Sequence, residues 1–359
     1  MLGMGLESRA RISDQGGTST APAPRAAENL RASFQPLEGA TGVLLAVSGG
    51  PDSIALMLLA ADWARQLATP PPLWVATVDH GLRPQSRPEA ELVASFAARL
   101  GLPHQILAWE GEKPKTRIQE RARLARYDLL TQHAAEIGAS HLVTAHHADD
   151  QAETILFRLL RGSGLTGLAG MEVAAKRGAI THCRPLLACT KADLIAVCTA
   201  KGHAFIEDPS NSNPAYARAR LRDLSGFFGA QGLDRDALLR LGRRAQRAEA
   251  ALTARTEVVR GLLAATRSDG LFAADIGPLR TEPEEIVLRI LDCEIRALAA
   301  SDRPLRLERL ESLTAKLHLA LREKVPFSAT LGGAALHLDA KLRLTICREE
   351  RRRRGLSQG

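Results

Sequence analysis

Short apolar runs alternate with longer stretches of helical periodicity from Gly42 onward, and this alternation limits the possible folds most strongly. Four apolar runs predict β-strands, at Val43–Val47, Trp74–Val78, Gln105–Trp109 and His141–Ala145. The stretches between them predict helices, at Asp52–Leu67, Pro88–Leu100 and Thr116–Ile137. Because such units are joined by right-handed crossovers, they predict an α/β fold with a mostly parallel sheet and helices on both faces. Sheets of this kind bind ligands at the carboxyl ends of their strands.

Length and periodicity divide the chain into three predicted parts. The chain has 359 residues, enough for about two domains of roughly 150 residues. Residues 1–37 lack sustained periodicity and predict a disordered tail, and residues 38–224 form the predicted α/β domain. Residues 225–359 predict a smaller helical domain that ends in short strands over Phe327–Arg348 and a basic tail.

Composition narrows the class of protein. The formal net charge of +8 favours a polyanionic partner. No apolar run approaches the roughly 18 residues of a membrane span, and the first residues lack the pattern of a secretory signal. The five cysteines form no CxxC pair, which argues against a disulfide framework or a metal knuckle. We therefore expect a soluble protein of the reducing cytoplasm that does not associate with membranes.

A glycine-containing turn between the first strand and the first helix predicts a phosphate site. Its residues are Ser48, Gly49, Gly50, Pro51, Asp52 and Ser53. Two glycines permit a tight turn whose N–H groups point at one spot, and the helix N-terminus adds partial positive charge. Asp52 could reach a magnesium ion that bridges phosphates. The GxxxxGK[ST] pattern of ordinary P-loop enzymes is absent. A plain strand–turn–helix with a serine cap is the alternative.

Two further motifs follow predicted strands at the same sheet edge. The first, Val78–Arg83, places Asp79, His80 and Arg83 after the second strand. The second, His141–Thr154, has the sequence His-Leu-Val-Thr-Ala-His-His-Ala-Asp-Asp-Gln-Ala-Glu-Thr. If a helix begins near Ala148, three carboxylates lie on one face of it, those of Asp149, Asp150 and Glu153. Such a group of carboxylates suits an ammonium ion or a magnesium ion. The purely structural alternative is a capped turn for the first motif and an ordinary helix start for the second. A zinc site is disfavoured because the HExxH spacing is absent.

Together these motifs resemble the N-type ATP pyrophosphatases, and within them the tRNA(Ile)-lysidine synthetase family. The resemblance covers roughly residues 40–225 and extends to four later segments: the glycine-rich Arg161–Met171, Arg184–Leu187, Ile206–Asn213 and Arg218–Arg222. In the last segment Ala219 stands where the family usually has Asn, which leaves the charges intact but removes that side chain. The glycine-rich segment is expected to move around a bulky substrate.

The resemblance implies a Rossmann-like PP-loop domain that uses ATP and Mg²⁺ to ligate L-lysine to the wobble cytidine of a tRNA(Ile) with a CAU anticodon. It implies ATP binding by Ser48–Ser53 with Asp79 and His80, magnesium at Asp52, and lysine binding by Asp149, Asp150 and Glu153. Asp52, Asp150 and Glu153 are the implied catalytic residues. The implied tRNA contacts are Arg83, Arg161, Arg218, Arg220 and Arg222, together with the helical domain.

Three alternatives to this function stay open from the sequence. A tRNA thiolase of the same superfamily would use sulfur as the nucleophile, but such enzymes commonly carry a catalytic cysteine pair. An amidotransferase is disfavoured because no cysteine precedes Cys183. A non-catalytic nucleotide-binding or RNA-binding module would bind ATP without releasing pyrophosphate. The sequence leaves the oligomeric state open, and a homodimer is one candidate.

Overall fold

The computed structural model describes residues 32–111, 113, 116–206, 226–268, 270–298 and 305–349. The chain divides into two compact units. Unit 1 comprises Met1–Ser163 and Gly167–Arg243, and unit 2 comprises Gly164–Thr166 and Arg244–Gly359. Among the described residues, no helix has both the length and the apolar character needed to cross a membrane. The predicted domain boundaries stay predictions.

Alternating strands and helices build the first half of the chain. The strands are β1 (Val43–Ala46), β2 (Leu73–Asp79), β3 (His104–Ala108), β4 (His141–Val143), β5 (Ala174–Arg177) and β6 (Ile180–Cys183). The helices are α1 (Pro51–Ala64), α2 (Ser86–Arg99), α3 (Ile118–Glu136), α4 (Ala148–Leu160), the short α5 (Leu165–Leu168) and α6 (Lys191–Ala200). The seven strands and helices predicted before residue 146 are present, with ends that differ by a few residues.

These six strands form one sheet in the order β3-β2-β1-β4-β6-β5. All neighbours pair in parallel except β5 and β6, which are antiparallel. The chain moves outward from β1 to β3 and then returns to β4 on the other side of β1. The order of strands therefore reverses between β1 and β4. In sheets of this kind the carboxyl ends of the strands at such a reversal form the crevice in which ligands bind. The predicted α/β class with a mostly parallel sheet is confirmed.

The central strand β1 is buried on both faces, which explains its continuous apolar sequence. Val43 and Leu45 point into a core formed with α1 and α2, whereas Leu44 points to the opposite side. On that side it packs with Tyr127 and Leu130 of α3. This double burial fixes the position of the turn that follows β1.

Unit 2 combines helices with an antiparallel sheet. Its elements are the later part of α7 (Arg235–Leu262), β7 (Thr266–Ser268), β8 (Leu271–Asp275), α8 (Glu284–Leu298), α9 (Leu307–Glu323), β9 (Phe327–Leu331), β10 (Ala334–Leu338) and β11 (Arg343–Arg348). The sheet order is β7-β8-β11-β10-β9, and α8 and α9 pack on it. The predicted helices and terminal strands are present. The sequence did not reveal β7 and β8, because β8 is stabilised by pairing with β11, about seventy residues later in the chain.

Candidate active site

The turn between β1 and α1 is a closed loop held by its own serines. The backbone N–H of Ser48 donates to the Ser53 hydroxyl at 3.1 Å, and that hydroxyl donates to the Gly50 carbonyl at 3.0 Å. Pro51 occupies the start of α1, where its missing N–H costs nothing. The loop therefore presents a helix N-terminus at the carboxyl end of a buried strand, as an anion site requires.

The two glycines of this loop have different surroundings. Gly49 has a φ of +91°, and a Cβ there would lie 2.5 Å from the Ile206 side chain. The Ile206 backbone N–H also donates to the Gly49 carbonyl at 2.9 Å. Gly50 has nothing within 4 Å of the position that a Cβ would take. Gly49 thus fits the loop to the protein beneath it, whereas Gly50 leaves open space for a ligand.

The His147 imidazole gathers three carboxylates at the crevice. Its Nε2 lies 3.7 Å from Oδ2 of Asp52 and 3.5 Å from Oδ2 of Asp150, and its Nδ1 lies 3.4 Å from Oδ2 of Asp149. His147 is buried and immediately precedes α4, so Asp149 and Asp150 fall in the first helical turn. The backbone N–H of His147 donates to Asp150 at 3.2 Å. The phosphate loop and the start of α4 thereby meet at one imidazole.

The carboxylates of this cluster differ in their electrostatic surroundings. Burial raises the pKa of Asp52, although His147 and Lys191 oppose the rise. Oδ1 of Asp52 is buried without a hydrogen-bond partner. Burial also acts to raise the pKa of Asp149, but the Lys191 backbone N–H at 2.9 Å, His147 and Arg235 outweigh it and the net shift is downward. Asp52 is consequently the carboxylate with an unfilled coordination position.

Comparisons with known proteins agree with this geometry. The PP-loop domain family model matches residues 22–225. A tRNA(Ile)-lysidine synthase of Methylobacterium sp. (strain 4-46) is 51% identical over 320 residues, covering 88% of this chain and 91% of that protein. A tRNA(Ile)-lysidine synthase of Bradyrhizobium sp. (strain BTAi1 / ATCC BAA-1182) is 43% identical over 357 residues, covering 94% and 99%.

The chain belongs to the tRNA(Ile)-lysidine synthase family. Among solved structures, the U34-tRNA thiolase NcsA of Methanococcus maripaludis with its [4Fe-4S] cluster is similar, with a TM-score of 0.52 and 15% identity. The match covers 62% of this chain and 78% of that one. At this identity the likeness shows a shared fold alone.

Three of the five cysteines of this lysidine synthase family member do not resemble a sulfur-transfer site. Cys183, Cys189 and Cys198 are buried, and burial raises the pKa of each thiol to about 11. A reactive cysteine needs the opposite, an accessible thiol with a lowered pKa. The Cys198 thiol instead donates to the Pro51 carbonyl at 3.4 Å, beneath the phosphate loop.

The predicted site residues after β2 form hydrogen bonds with their own turn and with the start of α2. The Asp79 carboxylate accepts from the Gly81 N–H and the Ser86 hydroxyl, and the Ser86 bond chiefly lowers its pKa. Nδ1 of His80 accepts from the Leu82 N–H. Roles in ATP binding for Asp79 and His80 stay predictions.

The remaining predicted residues lie at different places. Glu153 is half-buried on α4, one turn beyond Asp150. Arg83 forms an ion pair with Glu89 at 3.0 Å, and the Arg161 guanidinium lies 4.0 Å from the centre of the Phe157 ring. Three predicted tRNA contacts lie outside the described residues; they are Arg218, Arg220 and Arg222.

A cluster of arginines beside β6 was not predicted from the sequence. The guanidinium groups of Arg123 and Arg177 lie 5.1 and 4.7 Å from the Tyr127 ring centre. Arg184 donates to His182 at 3.0 Å, and its Nε is buried without a partner. Burial, with further contributions from Arg177 and Arg123, lowers the pKa of Arg184. Guanidinium groups gathered in this way suit an anion, and only the arginine of Arg184–Leu187 gave a signal in the sequence.

No ready-made metal site accompanies these clusters. Within the described ranges, no three His, Cys, Asp or Glu side chains are arranged to hold a metal ion. Magnesium does not need a complete set of protein ligands, since it binds through one or two carboxylates together with substrate phosphates.

Proposed function

We propose that this chain ligates L-lysine to C2 of the wobble cytidine in the CAU anticodon of tRNA(Ile), in two steps. In the first step, O2 of the cytidine attacks the α phosphorus of ATP and pyrophosphate leaves. In the second step, the ε-amino group of lysine attacks C2, AMP leaves with the O2 oxygen, and the amine gives up a proton. The modified anticodon reads AUA in place of AUG.

The single observation that carries this proposal is the meeting of two sites at one crevice. The phosphate loop contains Asp52, and the acidic first turn of α4 follows His147. The carboxylates of Asp52, Asp149 and Asp150 all lie within 3.7 Å of the His147 imidazole. The first step requires an anion site for the phosphates, and the second requires carboxylates for a cationic amine. The two steps can therefore proceed without moving the tRNA between distant sites.

The phosphate loop supplies the groups that the first step needs. Backbone N–H groups at the start of α1 and the Ser48 hydroxyl can donate to the β and γ phosphates, where negative charge collects as pyrophosphate leaves. Open space above Gly50 permits close approach of the phosphates to the backbone. The bond from Ile206 to Gly49 fixes the loop before ATP binds, which lowers the cost of ordering it.

The orphaned Oδ1 of Asp52 fits a magnesium ion shared with the phosphates. Mg²⁺ bound there would offset the charge of the departing pyrophosphate. The raised pKa of Asp52 has the same origin, because burial without a compensating cation penalises the charged carboxylate. A bound cation would restore the charged form.

The acidic start of α4 is suited to the second substrate. Asp149, Asp150 and Glu153 can bind the ammonium of lysine, and one of them can accept its proton before the amine attacks. Asp149 is already bonded to Lys191 and, at 3.4 Å, to Arg235. Asp150 accepts from the His147 backbone N–H at 3.2 Å, and it and Glu153, one turn further along α4, are candidates for direct contact with the amine together with Asp149.

Positive charge on unit 1 supports a tRNA partner. Arg123, Arg177 and Arg184 gather near β6, whose carboxyl end lies at the same sheet edge as β4. Phosphate contacts of this type add affinity without reading sequence. An anticodon base must leave its stack to react, and the loop of a tRNA presents such bases unpaired.

The decisive experiment measures incorporation of radiolabelled lysine into a tRNA(Ile) transcript with the CAU anticodon. ATP and magnesium are present, and an elongator methionine tRNA with the same anticodon is the control. We expect label in the isoleucine tRNA alone, and we expect it to resist the mild base that removes aminoacyl esters. Pyrophosphate release without lysine incorporation would contradict the proposal and favour another nucleophile. A homodimer stays a prediction that light scattering tests.

A further inference from the structure

Residues 167–173, which follow the glycine-rich turn, form a segment that we call the strap. Most of the strap lies outside regular helix and strand, yet side chains from elsewhere in unit 1 bind its backbone at successive positions. Backbone groups in irregular segments are commonly left to water. The bonds made by Gln151, Arg158 and Arg184 therefore identify the strap as a segment whose position matters.

Gln151 binds the strap as a neighbouring strand would. Its Nε2 donates to the Met171 carbonyl at 2.9 Å, and its Oε1 accepts from the Met171 N–H at 2.8 Å. The Gln151 side chain is buried, so both bonds form away from bulk water. Gln151 directly follows Asp150, and this contact fixes Met171 next to the acidic turn of α4.

Arg158 holds the strap two helical turns further along α4. Its Nη1 donates to the carbonyls of Gly167 and Gly170 at 2.9 and 2.8 Å. Residues seven apart in a helix lie on the same face, so Gln151 and Arg158 form one binding stripe. The stripe lies on a different side of α4 from Asp149 and Glu153.

Arg184 binds the far end of the strap. Its Nη1 donates to the Glu172 carbonyl at 2.8 Å, and its backbone N–H donates to the Val173 carbonyl at 2.7 Å. Through its guanidinium, Arg184 also joins a hydrogen-bonded chain that continues to His182, Thr144 and His146. His146 precedes His147 in sequence. Two of the residues that connect to the strap, Gln151 and His146, are thus the sequence neighbours of Asp150 and His147.

Gly170 shows how closely the strap fits α4. Its φ is +76°, and a Cβ at this position would lie 2.7 Å from Nε2 of Gln151 and 2.9 Å from its Cδ. Any other residue would push away the side chain that holds Met171. Hydrogen bonds hold residues 167–173 at these positions, and movement of the glycine-rich segment around the substrate stays a prediction.

We propose that Gln151 and Arg158 are positioning residues that hold the strap against the side of α4 that faces away from Asp149 and Glu153. The strap then supports α4 from behind and fixes the position of its acidic first turn, and neither residue contacts the substrates. The inference rests on the proposed function, because it assigns this support to the second step, the attack of the amine. Disturbing the support should weaken the use of lysine and leave ATP binding and cytidine adenylation intact.

The test compares Gln151→Met and Gly170→Ala in the full-length chain. Methionine has nearly the shape of glutamine but can form neither bond to Met171. We expect each variant to raise the KM for lysine about tenfold, as the loss of two hydrogen bonds of ordinary strength predicts. The KM for ATP should change less than about twofold. The double variant should be no worse than the poorer single one, because both changes break the same contact.

Two further variants separate positioning from folding. Gly178→Ala introduces a Cβ at a φ of +57° with nothing within 4 Å, and we expect it to leave both KM values unchanged. Gln151→Glu keeps the acceptor for the Met171 N–H but loses the donor, so its KM for lysine should lie between those of wild type and Gln151→Met. Thermal unfolding confirms that each variant is folded.

Three results would overturn the inference. They are an unchanged KM for lysine in Gln151→Met, an equal rise in the KM for ATP, or additive effects in the double variant. In each case wild-type chain that still ligates lysine to tRNA(Ile) leaves the proposed function standing. Wild-type chain that ligates no lysine would refute the proposed function itself, and the inference with it.

Discussion

Nε2 of His147 lies 3.7 Å from Oδ2 of Asp52, which joins residues almost one hundred positions apart at the crevice between β1 and β4. The contact is possible because β1 and β4 are parallel neighbours whose carboxyl ends lie side by side. An imidazole among carboxylates can hold them together while magnesium and the lysine ammonium are still absent. Binding of a metal ion or an ammonium would then replace His147 as their partner.

We predict that Asp52→Asn and Asp150→Asn each lower the rate of lysine incorporation by about 100-fold or more, the usual effect of removing one group that stabilises transition-state charge. Their thermal midpoints should stay close to that of wild type, because neither carboxylate forms a strong ion pair. Asp62→Asn, which removes a partner of Arg65 and Lys201 on the outer part of α1, is the control for activity. Near-normal turnover in either site variant would remove that residue from the catalytic set.

The sequence was sufficient to predict the site motifs but not the contacts that organise them. The strand–helix alternation from Gly42 predicts the sheet edge, because period and chain order are local properties. The roles of Gln151 and Arg158 depend on backbone groups up to twenty residues away. No local pattern shows which carbonyl a buried amide will meet. The strands β7 and β8 were missed for the same reason, since β8 is completed by β11.

The two loop glycines should separate stability from ligand binding. Gly49→Ala forces a side chain into a φ of +91° and against Ile206, so we expect the free energy of unfolding to fall by about 1–3 kcal/mol. Gly50→Ala meets nothing within 4 Å and should leave stability within about 0.5 kcal/mol. Its methyl group would instead occupy the space that the phosphates need.

Chemical denaturation and the KM for ATP measure these two effects. Gly50→Ala should raise the KM for ATP with little change in stability. A Gly50→Ala chain that binds ATP normally would show that the phosphates do not approach this part of the loop.

The histidine chain beside β6 should make the protein sensitive to acid. Burial, with Arg184 and Arg177, lowers the pKa of His182 to about 3, whereas histidine in the unfolded chain has a pKa of about 6.5. Below pH 6.5 the unfolded state therefore binds the extra proton, and stability falls as the pH decreases toward 3. One such group makes the free energy of unfolding fall by about 1.4 kcal/mol for each pH unit in this range.

Chemical denaturation at a series of pH values tests this expectation. His182→Gln can keep the hydrogen bond to Thr144 but cannot take up the proton. Between about pH 6 and pH 4 we expect the free energy of unfolding of this variant to depend less steeply on pH. The difference in slope should correspond to the uptake of up to one proton fewer on unfolding. An identical slope in wild type and variant would mean that His182 is protonated in the folded protein.

The arginines near β6 should contribute to tRNA binding through charge alone. Removing one phosphate-binding side chain lowers the dependence of log K on log salt concentration by about 0.7–0.9. We expect Arg123→Gln and Arg177→Gln to weaken binding of tRNA(Ile) and to reduce this slope by about that amount each. Charge reversal at the predicted contacts Arg218, Arg220 and Arg222 should have a larger effect in the same direction.

Arg65→Gln, which changes an exposed arginine of α1, controls for the loss of one positive charge. Gel-shift titrations at several salt concentrations measure the slope. If Arg65→Gln changes it as much as Arg177→Gln does, the binding follows net charge and the cluster near β6 is no specific contact.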